Sequence, residues 1–351
     1  MKDRGGVAQV VRANGSYPLC PGFKSLHRHH PLLKRFRAGL KNLPLKSGDR
    51  VLVALSGGGD SVGLLALLVS ASPRPALELG LAHVHHNLRG AEADRDEAAA
   101  HDLAASLGLP FFSLRLTGGP PGGESIEQWA REARYAALED LRREEGWDWV
   151  ATAHSLDDQA ETVLLRIARG TGLAGLAGIL PVAGRLVRPV LGFRGEELRE
   201  AAAACGLAYL EDASNRDLRF LRNRIRHQVL PAVESALPGF AVRLAALARL
   251  ASQATPASQG PDIVRRDSES VYYLSEALGT VGEAEALEAF RRGLRLCLGN
   301  LRGISERHLR ALWALRSARP GGRTDLPGGW AGVREKDRIR LLRAAGGREE
   351  E

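Results

Sequence analysis

Three groups of residues have types and spacings that could carry chemistry. The first is Ser56-Gly57-Gly58-Gly59-Asp60-Ser61, between a short β-branched apolar run (51–55) and a longer Leu/Ala-rich one. Three glycines let the backbone turn sharply and remove the Cβ atoms that would hold a phosphate away. N–H groups opening the next helix face an anion, aided by the helix dipole. Ser56 and Ser61 add hydroxyl donors. Asp60 would repel a phosphate unless a cation lay between them, so it reads as a Mg²⁺ ligand, direct or through water. The loop lacks the Gly-Lys-Ser/Thr ending of a Walker loop and is not GxGxxG. A plain turn rarely needs three glycines between two serines and an aspartate.

The second group is Thr152-Ala153-His154-Ser155-Leu156-Asp157-Asp158-Gln159-Ala160-Glu161-Thr162. Ser155 or Asp157 can cap a helix here. Capping does not explain Glu161, which shares a helix face with Asp158 three residues earlier and Asp157 four earlier. Such a carboxylate set beside a polyphosphate could hold Mg²⁺ or bind a cationic substrate. The third group is cationic. Arg131 and Arg134 share a face, either paired with Glu127 or Glu132 or aimed at phosphate. Arg219, Arg222, Arg224 and Arg226 crowd the start of another helix. Arg222 and Arg226, four apart, repel unless an anion or an acid such as Glu211, Asp212 or Asp217 neutralises them.

Elements must position these groups. Buried strands are expected at 51–55, 79–84, 111–116, 147–153 and 186–191. Helices are expected at 32–45, 91–107 (stopped by Gly108), 124–145, from the 152–162 motif to 169, and 195–204. Strand alternating with helix implies a parallel α/β sheet with helices on both faces, whose strand ends bind ligands. Residues 170–179 form a glycine-rich loop suited to a lid or a nucleic-acid contact. Beyond Pro231 the pattern changes to a helix at 233–254, a Ser/Pro/Gly break, a strand at 271–274, helices at 283–298 and 305–317, and a hairpin at 321–342. The expected domains are an N-terminal extension (1–32), a nucleotide domain (33–231), and a C-terminal region (232–351) of helical linker plus small α+β domain. No internal repeat is present.

The 351 residues suffice for two or three domains, and the net charge of +8 suits an anionic partner as well as it suits a GC-rich coding sequence. Cys20, Cys205 and Cys297 lie far apart with no CxxC, which argues against a zinc ribbon, an iron–sulfur site or a disulfide framework. No apolar run spans a membrane and no signal-peptide core is present, so cytoplasmic location is expected. His83 and His85 lie on one side of a strand and His86 on the other, a poor metal arrangement. Residues 1–32 lack periodicity. Gly22-Phe23-Lys24-Ser25 back-translates to GGN-TTC-AAA-TCC, the T-loop of a tRNA gene, and Gly6-Val7-Ala8-Gln9-Val10-Val11 to a D-arm. The segment is therefore expected to be a translated stretch of tRNA gene, and His27, His29 and His30 are poor ligand candidates.

The SGGGDS loop resembles the pyrophosphate-binding loop of the PP-loop ATP pyrophosphatases. With HVHHNLRG, AREARY, TAHSLDDQAET, RGTGLAGLAGI and EDASNRDLRFLRNRIRHQVLP in this order, residues 51–231 resemble the tRNA(Ile)-lysidine synthase family in its short form. That family usually carries Asp or Asn where this chain has His85. The resemblance implies that ATP adenylates C2 of the wobble cytidine in a CAU-anticodon tRNA(Ile). L-lysine then displaces AMP through its ε-amine and forms lysidine. It further implies that Ser56, Gly57, Gly58, Gly59, Asp60 and Ser61 bind ATP, that Asp60 holds Mg²⁺, and that Arg131 (or Arg134) contacts ATP phosphate. Asp158 and Glu161 would recognise lysine's ammonium groups, one of them taking a proton. The C-terminal region would hold tRNA. A homodimer is compatible with the sequence, and no membrane is involved. A sister enzyme that thiolates tRNA cytidine would need paired cysteines, and a non-catalytic nucleotide-binding protein would need no acidic pair.

Overall fold

The computed structural model describes residues 26, 30–71, 76–85, 91–119, 126–210, 218–219, 221–254, 263–266, 270–298, 301 and 303–343. The expectation for residues 1–32 therefore falls outside the described residues except at Leu26 and 30–32. So do Cys20, His86 and the acids Glu211, Asp212 and Asp217.

Two compact units divide the chain, one of residues 1–169 and 175–252, the other of 170–174 and 253–351. The first begins with α1 (Pro31–Leu40), β1 (Arg50–Ala54), α2 (Gly59–Ala71), β2 (Glu78–His85), α3 (Ala91–Leu107), β3 (Phe111–Arg115), α4 (Ile126–Glu144), β4 (Trp149–Ala151) and α5 (Leu156–Ala168). After α6 (Leu173–Leu176), which straddles the division at residue 174, it continues through β5 (Val182–Ala183), β6 (Leu186–Val187) and α7 (Gly195–Ala204). The sheet order is β3-β2-β1-β4-β6-β5, parallel except for β5, which pairs antiparallel with β6. β1 therefore lies centrally, buried along Val51, Leu52 and Val53. The strand expected at 186–191 shrinks to two residues because Pro189 cannot donate to a ladder.

α2 is apolar almost all round and is buried from Ser61 to Leu68, as suits a helix enclosed between neighbours. It lies against α7 so closely that a Cβ on Gly63 would overlap the Leu198 carbonyl. Gly63→Ala should therefore lower stability by about 2 kcal/mol, overpacking outweighing the roughly 1 kcal/mol gain in helix propensity. Urea unfolding of the variant measures it, and an unchanged midpoint would contradict this packing.

The linker expected from residue 232 is corrected. Leu221–Ala236 runs as α8 (Leu221–Arg224), a wide π-turn (Ile225–Val229) and α9 (Leu230–Ala236), with a break before α10 (Phe240–Ala254). Ile225, Leu230, Ala241, Leu244 and Ala248 close a core with Leu156, Ala160 and Val163 of α5. This segment is thus part of the first unit, and its apolar face was packing against α5 and not bridging domains. The break follows from Pro238-Gly239, with Gly239 at φ +80°.

The second unit holds a five-stranded antiparallel sheet, order β7-β8-β11-β10-β9, of β7 (Val264–Arg266), β8 (Val271–Leu274), β9 (Arg323–Leu326), β10 (Trp330–Arg334) and β11 (Arg338–Arg343). Helices α11 (Ser275–Gly279), α12 (Glu283–Leu298) and α13 (Glu306–Ala314) accompany it. Its core centres on Tyr273, whose ring meets Phe290 edge-on at 4.7 Å and whose hydroxyl donates to the Phe290 carbonyl (3.2 Å). The sheet bears out the expected α+β character, but the hairpin expected at 321–342 is three antiparallel strands, β9, β10 and β11, and β7 was not expected. No single helix among the described residues is long and apolar enough to cross a membrane.

Candidate active site

The Ser56–Ser61 loop leaves β1 at the sheet's C-terminal edge and enters α2. Gly57 takes φ +84°, a conformation reserved in practice for glycine. The Ser56 and Ser61 hydroxyls lie 3.1 Å apart, and Ser61 donates to the Gly58 carbonyl (2.8 Å). The Leu210 N–H donates to the Gly57 carbonyl (2.9 Å), pinning the loop from its far side. A Cβ on Gly59 would strike Arg199 and crowd Tyr209. The backbone thus presents the first turn of α2, with its unsatisfied N–H groups, to whatever lies above the sheet.

Asp60 opens onto a cavity of about 370 Å³ that it shares with Ser155, Asp157, Glu161, Arg199, Arg226 and Glu234. Burial, then the negative charges of Asp158 and Asp157, push its carboxyl up to about 6 against the opposing pull of Arg199 and Arg226. Arg199 Nη1 lies 3.7 Å from Asp60 Oδ1. A carboxylate that neighbouring acids hold back from ionising gains from a nearby cation, so the donor set fits Mg²⁺.

α5 starts beside this cavity. Ser155 is its N-cap: its backbone N–H and hydroxyl both donate to Asp158 Oδ2 (2.9 and 3.2 Å), and its Oγ accepts from the Asp158 N–H (3.3 Å). This capping box fixes the Asp158 rotamer. Asp157 accepts from the Gly195 N–H (2.9 Å) at the start of α7. Gln159 turns inward and clamps the end of the glycine-rich loop, accepting from Ile179 N–H (2.6 Å) and donating to its carbonyl (3.0 Å).

The structure brings Asp158 and Glu161 together and sets two arginines on them. Arg222 bonds Glu161 and Asp158 at 2.9 Å each. Arg226 bonds Glu161 Oε1 (2.5 Å), Asp158 Oδ1 (2.9 Å) and Glu161 Oε2 (3.1 Å). Glu161 is fully buried. Burial pushes the Asp158 carboxyl up, but Arg222 and Arg226 outweigh it and hold it below the ordinary range. The partners that relieve the repulsion between these two arginines are therefore acids some sixty residues away, beyond the reach of any helix-spacing argument.

Arg131 and Arg134 stand elsewhere. Both guanidinium groups lie over the Tyr135 ring, at 5.1 and 5.2 Å. Tyr135 Oη meets His154 Nε2 (3.3 Å), and Thr152 Oγ1 meets His154 Nδ1 (2.9 Å). Burial, outweighing Asp158, drives His154 down to about 3, so the ring is neutral at any working pH. Neither His154 nor Tyr135, nor Arg194, Arg199 and Glu234 of the cavity, stood out in the sequence as a candidate. His154 and Tyr135 did lie inside the motifs already singled out.

His85 is buried, its Nε2 3.3 Å from Asp94. Asp94 and Glu97 could join it around a cation. Arg115 already bonds both, at 3.2 and 2.6 Å, and supplies the positive charge there.

A family model described as a PP-loop domain matches residues 29–233. Curated tRNA(Ile)-lysidine synthases are similar across the rest as well. That of Geobacter sulfurreducens is 38% identical over 330 residues, covering 87% of this chain and 67% of its own. That of Solibacter usitatus is 39% identical over 292 residues, 80% of this chain and 65% of its own. The chain belongs to the PP-loop family, in its tRNA(Ile)-lysidine synthase branch. It spans about two thirds of the length of these relatives. Among solved PP-loop folds, the U34-tRNA thiolase NcsA from Methanococcus maripaludis is similar with a TM-score of 0.53 at 19% identity. The match covers 63% of this chain and 78% of that one, and the likeness is one of fold.

The matched residues include the Ser56–Ser61 loop and the parallel strands β3-β2-β1-β4-β6 that carry it. The family match ends at residue 233, inside α9, whereas the compact unit runs on to Ser252. The difference is α10, which the α5 core requires.

Proposed function

We propose that this chain ligates lysine to C2 of the wobble cytidine in CAU-anticodon tRNA(Ile). What carries the reading is that one cavity beside the PP loop is faced by Asp60 and by the α5 carboxylates Asp157 and Glu161. A phosphate-binding loop alone would serve any PP-loop reaction. The Asp158–Glu161 pair, whose Glu161 faces that cavity, gives an ammonium nucleophile somewhere to bind.

In the first step the cytidine O2 attacks the α-phosphorus of ATP, the α–β bond breaks and pyrophosphate leaves. The loop amides and the Ser56 and Ser61 hydroxyls hold the departing β- and γ-phosphates, where donors aimed at developing charge lower the barrier most. Asp60 would hold Mg²⁺, which supplies charge neutralisation at phosphate oxygens. In the second step the lysine ε-amine attacks C2 and AMP leaves with the former O2. Asp158, held low by two arginines, stays ionised and anchors the ammonium, and one of the two carboxylates, Asp158 or Glu161, takes the proton. For the ε-ammonium to reach this pair a guanidinium must yield. Arg226 lines the cavity, so it is the one to move, and one cation then replaces another with the charge balance kept. The C-terminal unit and Arg224 of α8 would hold tRNA, mainly through phosphates. Alignment of three reactants can itself contribute roughly 7–11 kcal/mol.

The test is incorporation of labelled lysine, with ATP and Mg²⁺, into transcripts of CAU-anticodon tRNA(Ile) and elongator tRNA(Met). Label in the first alone is expected. Folded protein that labels neither would overturn the reading. The thiolation alternative has nothing in its favour among the described residues. Cys205 is buried in the first unit, with burial raising its thiol, and Cys297 belongs to the second unit.

A further inference from the structure

Arg188 follows β6 at the C-terminal edge of the sheet, the edge at which parallel sheets bind ligands. Its residue is only 8% exposed, and its Nε has no hydrogen-bond partner. One Nη donates to the Leu180 carbonyl (2.5 Å), and the side chain also bonds Tyr135. Arg131 and Arg134 lie over that same tyrosine's ring, one helical turn of α4 supplying both. Among the described residues none of these three arginines makes an ion pair. His154, the remaining polar group against Tyr135, is bonded to Thr152 and uncharged. Three guanidinium groups around one phenol, one of them deeply buried with a donor unused, form an electrostatic debt that an anion would settle.

The cations of this group are not those that act most on Asp60. The charges that act most on Asp60 are Asp158, Arg199, Arg226 and Asp157. Those that act on Arg131 are Tyr135, Arg134, Arg222 and Arg188. Arg222 is committed to Asp158 and Glu161, which leaves Arg131, Arg134 and Arg188 as the uncommitted set. Three planar forks can grip a tetrahedral oxyanion from several sides, and the phenol adds a hydroxyl.

We propose that Arg131, Arg134 and Arg188, gathered around Tyr135, form a second phosphate subsite, which takes a backbone phosphodiester of the RNA beside the target cytidine. The inference rests on the RNA-modifying reading above. It transfers Arg131 from ATP, where sequence resemblance put it, to RNA. Phosphate is the shared chemistry, and ATP is the competing source. RNA is favoured because ATP's phosphates already have the loop amides, Arg199 and the cation site at Asp60. A base can be held for adenylation only if its own backbone is fixed.

The test measures binding of a CAU anticodon stem-loop and, separately, of ATP to wild type, Arg188→Gln and Arg134→Gln, each first shown to be folded by its thermal midpoint. Arg134 is less buried, so its variant keeps the test decisive if Arg188→Gln fails to fold. Stem-loop affinity should fall about tenfold or more in each. The slope of log affinity against log salt should become shallower by about 0.7, the loss of one single-strand phosphate contact. ATP affinity should be unchanged. A fall in ATP affinity instead would give these arginines to the nucleotide and overturn the proposal. Unchanged binding of both ligands would make them structural and overturn it as well. Wild-type lysine incorporation is assayed alongside. Its absence would strike the catalytic reading, whereas normal incorporation with unchanged variant binding would strike the subsite alone.

Discussion

Asp60→Asn should end pyrophosphate release while making the ligand-free protein more stable. The carboxyl is pushed up to about 6, first by burial and then by Asp158 and Asp157. The folded state therefore binds a proton more readily than the unfolded chain, whose aspartates titrate near 3.8. The stability cost of ionisation is absent below about pH 4, accumulates between pH 4 and 6, and is complete above that. Asparagine removes the charge. After discounting for a side chain about one-third exposed, the gain at pH 8 is about 1 kcal/mol, or roughly 2–4 °C. It should shrink as the pH falls from 6 to 4. Adenylation, followed as tRNA-dependent pyrophosphate release, should drop by about a thousandfold or more with loss of the cation site. A stable variant that still released pyrophosphate would remove Asp60 from the chemistry. A destabilised one would mean that Asp60 is structural.

Glu161→Gln separates the two steps. Glutamine keeps the shape but leaves Arg222 and Arg226 facing a single carboxylate, Asp158. Breaking a buried charge cluster costs about 3–5 kcal/mol, and the lower end applies because both arginines are about 30% exposed. The variant should unfold earlier yet still fold. Lysine transfer should fall by about a thousandfold, since one of the two carboxylates that bind the ammonium and can take its proton is lost. Adenylation should fall by no more than about tenfold. Accumulation of adenylated tRNA in the presence of lysine is the readout. Equal loss of both steps would place Glu161 at ATP or its cation.

The strands and helices that position the PP loop were legible because each carries a local signature. The glycine stops after 107 and 204 end α3 and α7 where the sequence put them. Ser155 and Asp158 form their cap within one helical turn. The failures are non-local. Nothing in residues 221–226 says that their acids lie on α5, whereas Glu211, Asp212 and Asp217 are close in sequence. Residues 233–254 carry an apolar stripe that suits a linker helix as well as one packed on α5. Only the tertiary core distinguishes the two. Arg188 carries no motif at all, and it matters only because β6 delivers it beside α4.

The wide turn at Ile225–Val229 has a consequence for how this segment can change. The Leu230 N–H reaches back five residues to the Ile225 carbonyl, and Pro231 follows with no N–H to give. A π-turn spends one more residue than an α-turn. Arg222 upstream of it and Arg226 within it face the acids of α5. Downstream, Leu230 faces the core and Glu234 holds Arg194 (2.7 Å). Deleting one residue here would restore a regular spiral and rotate everything beyond it by about 100°. The helix would then be locally better bonded, with its charges and its apolar face out of phase. Point substitutions in this stretch should thus be tolerated more readily than a change in its length, because the segment acts as a ruler whose extra mark sets the phase between two surfaces.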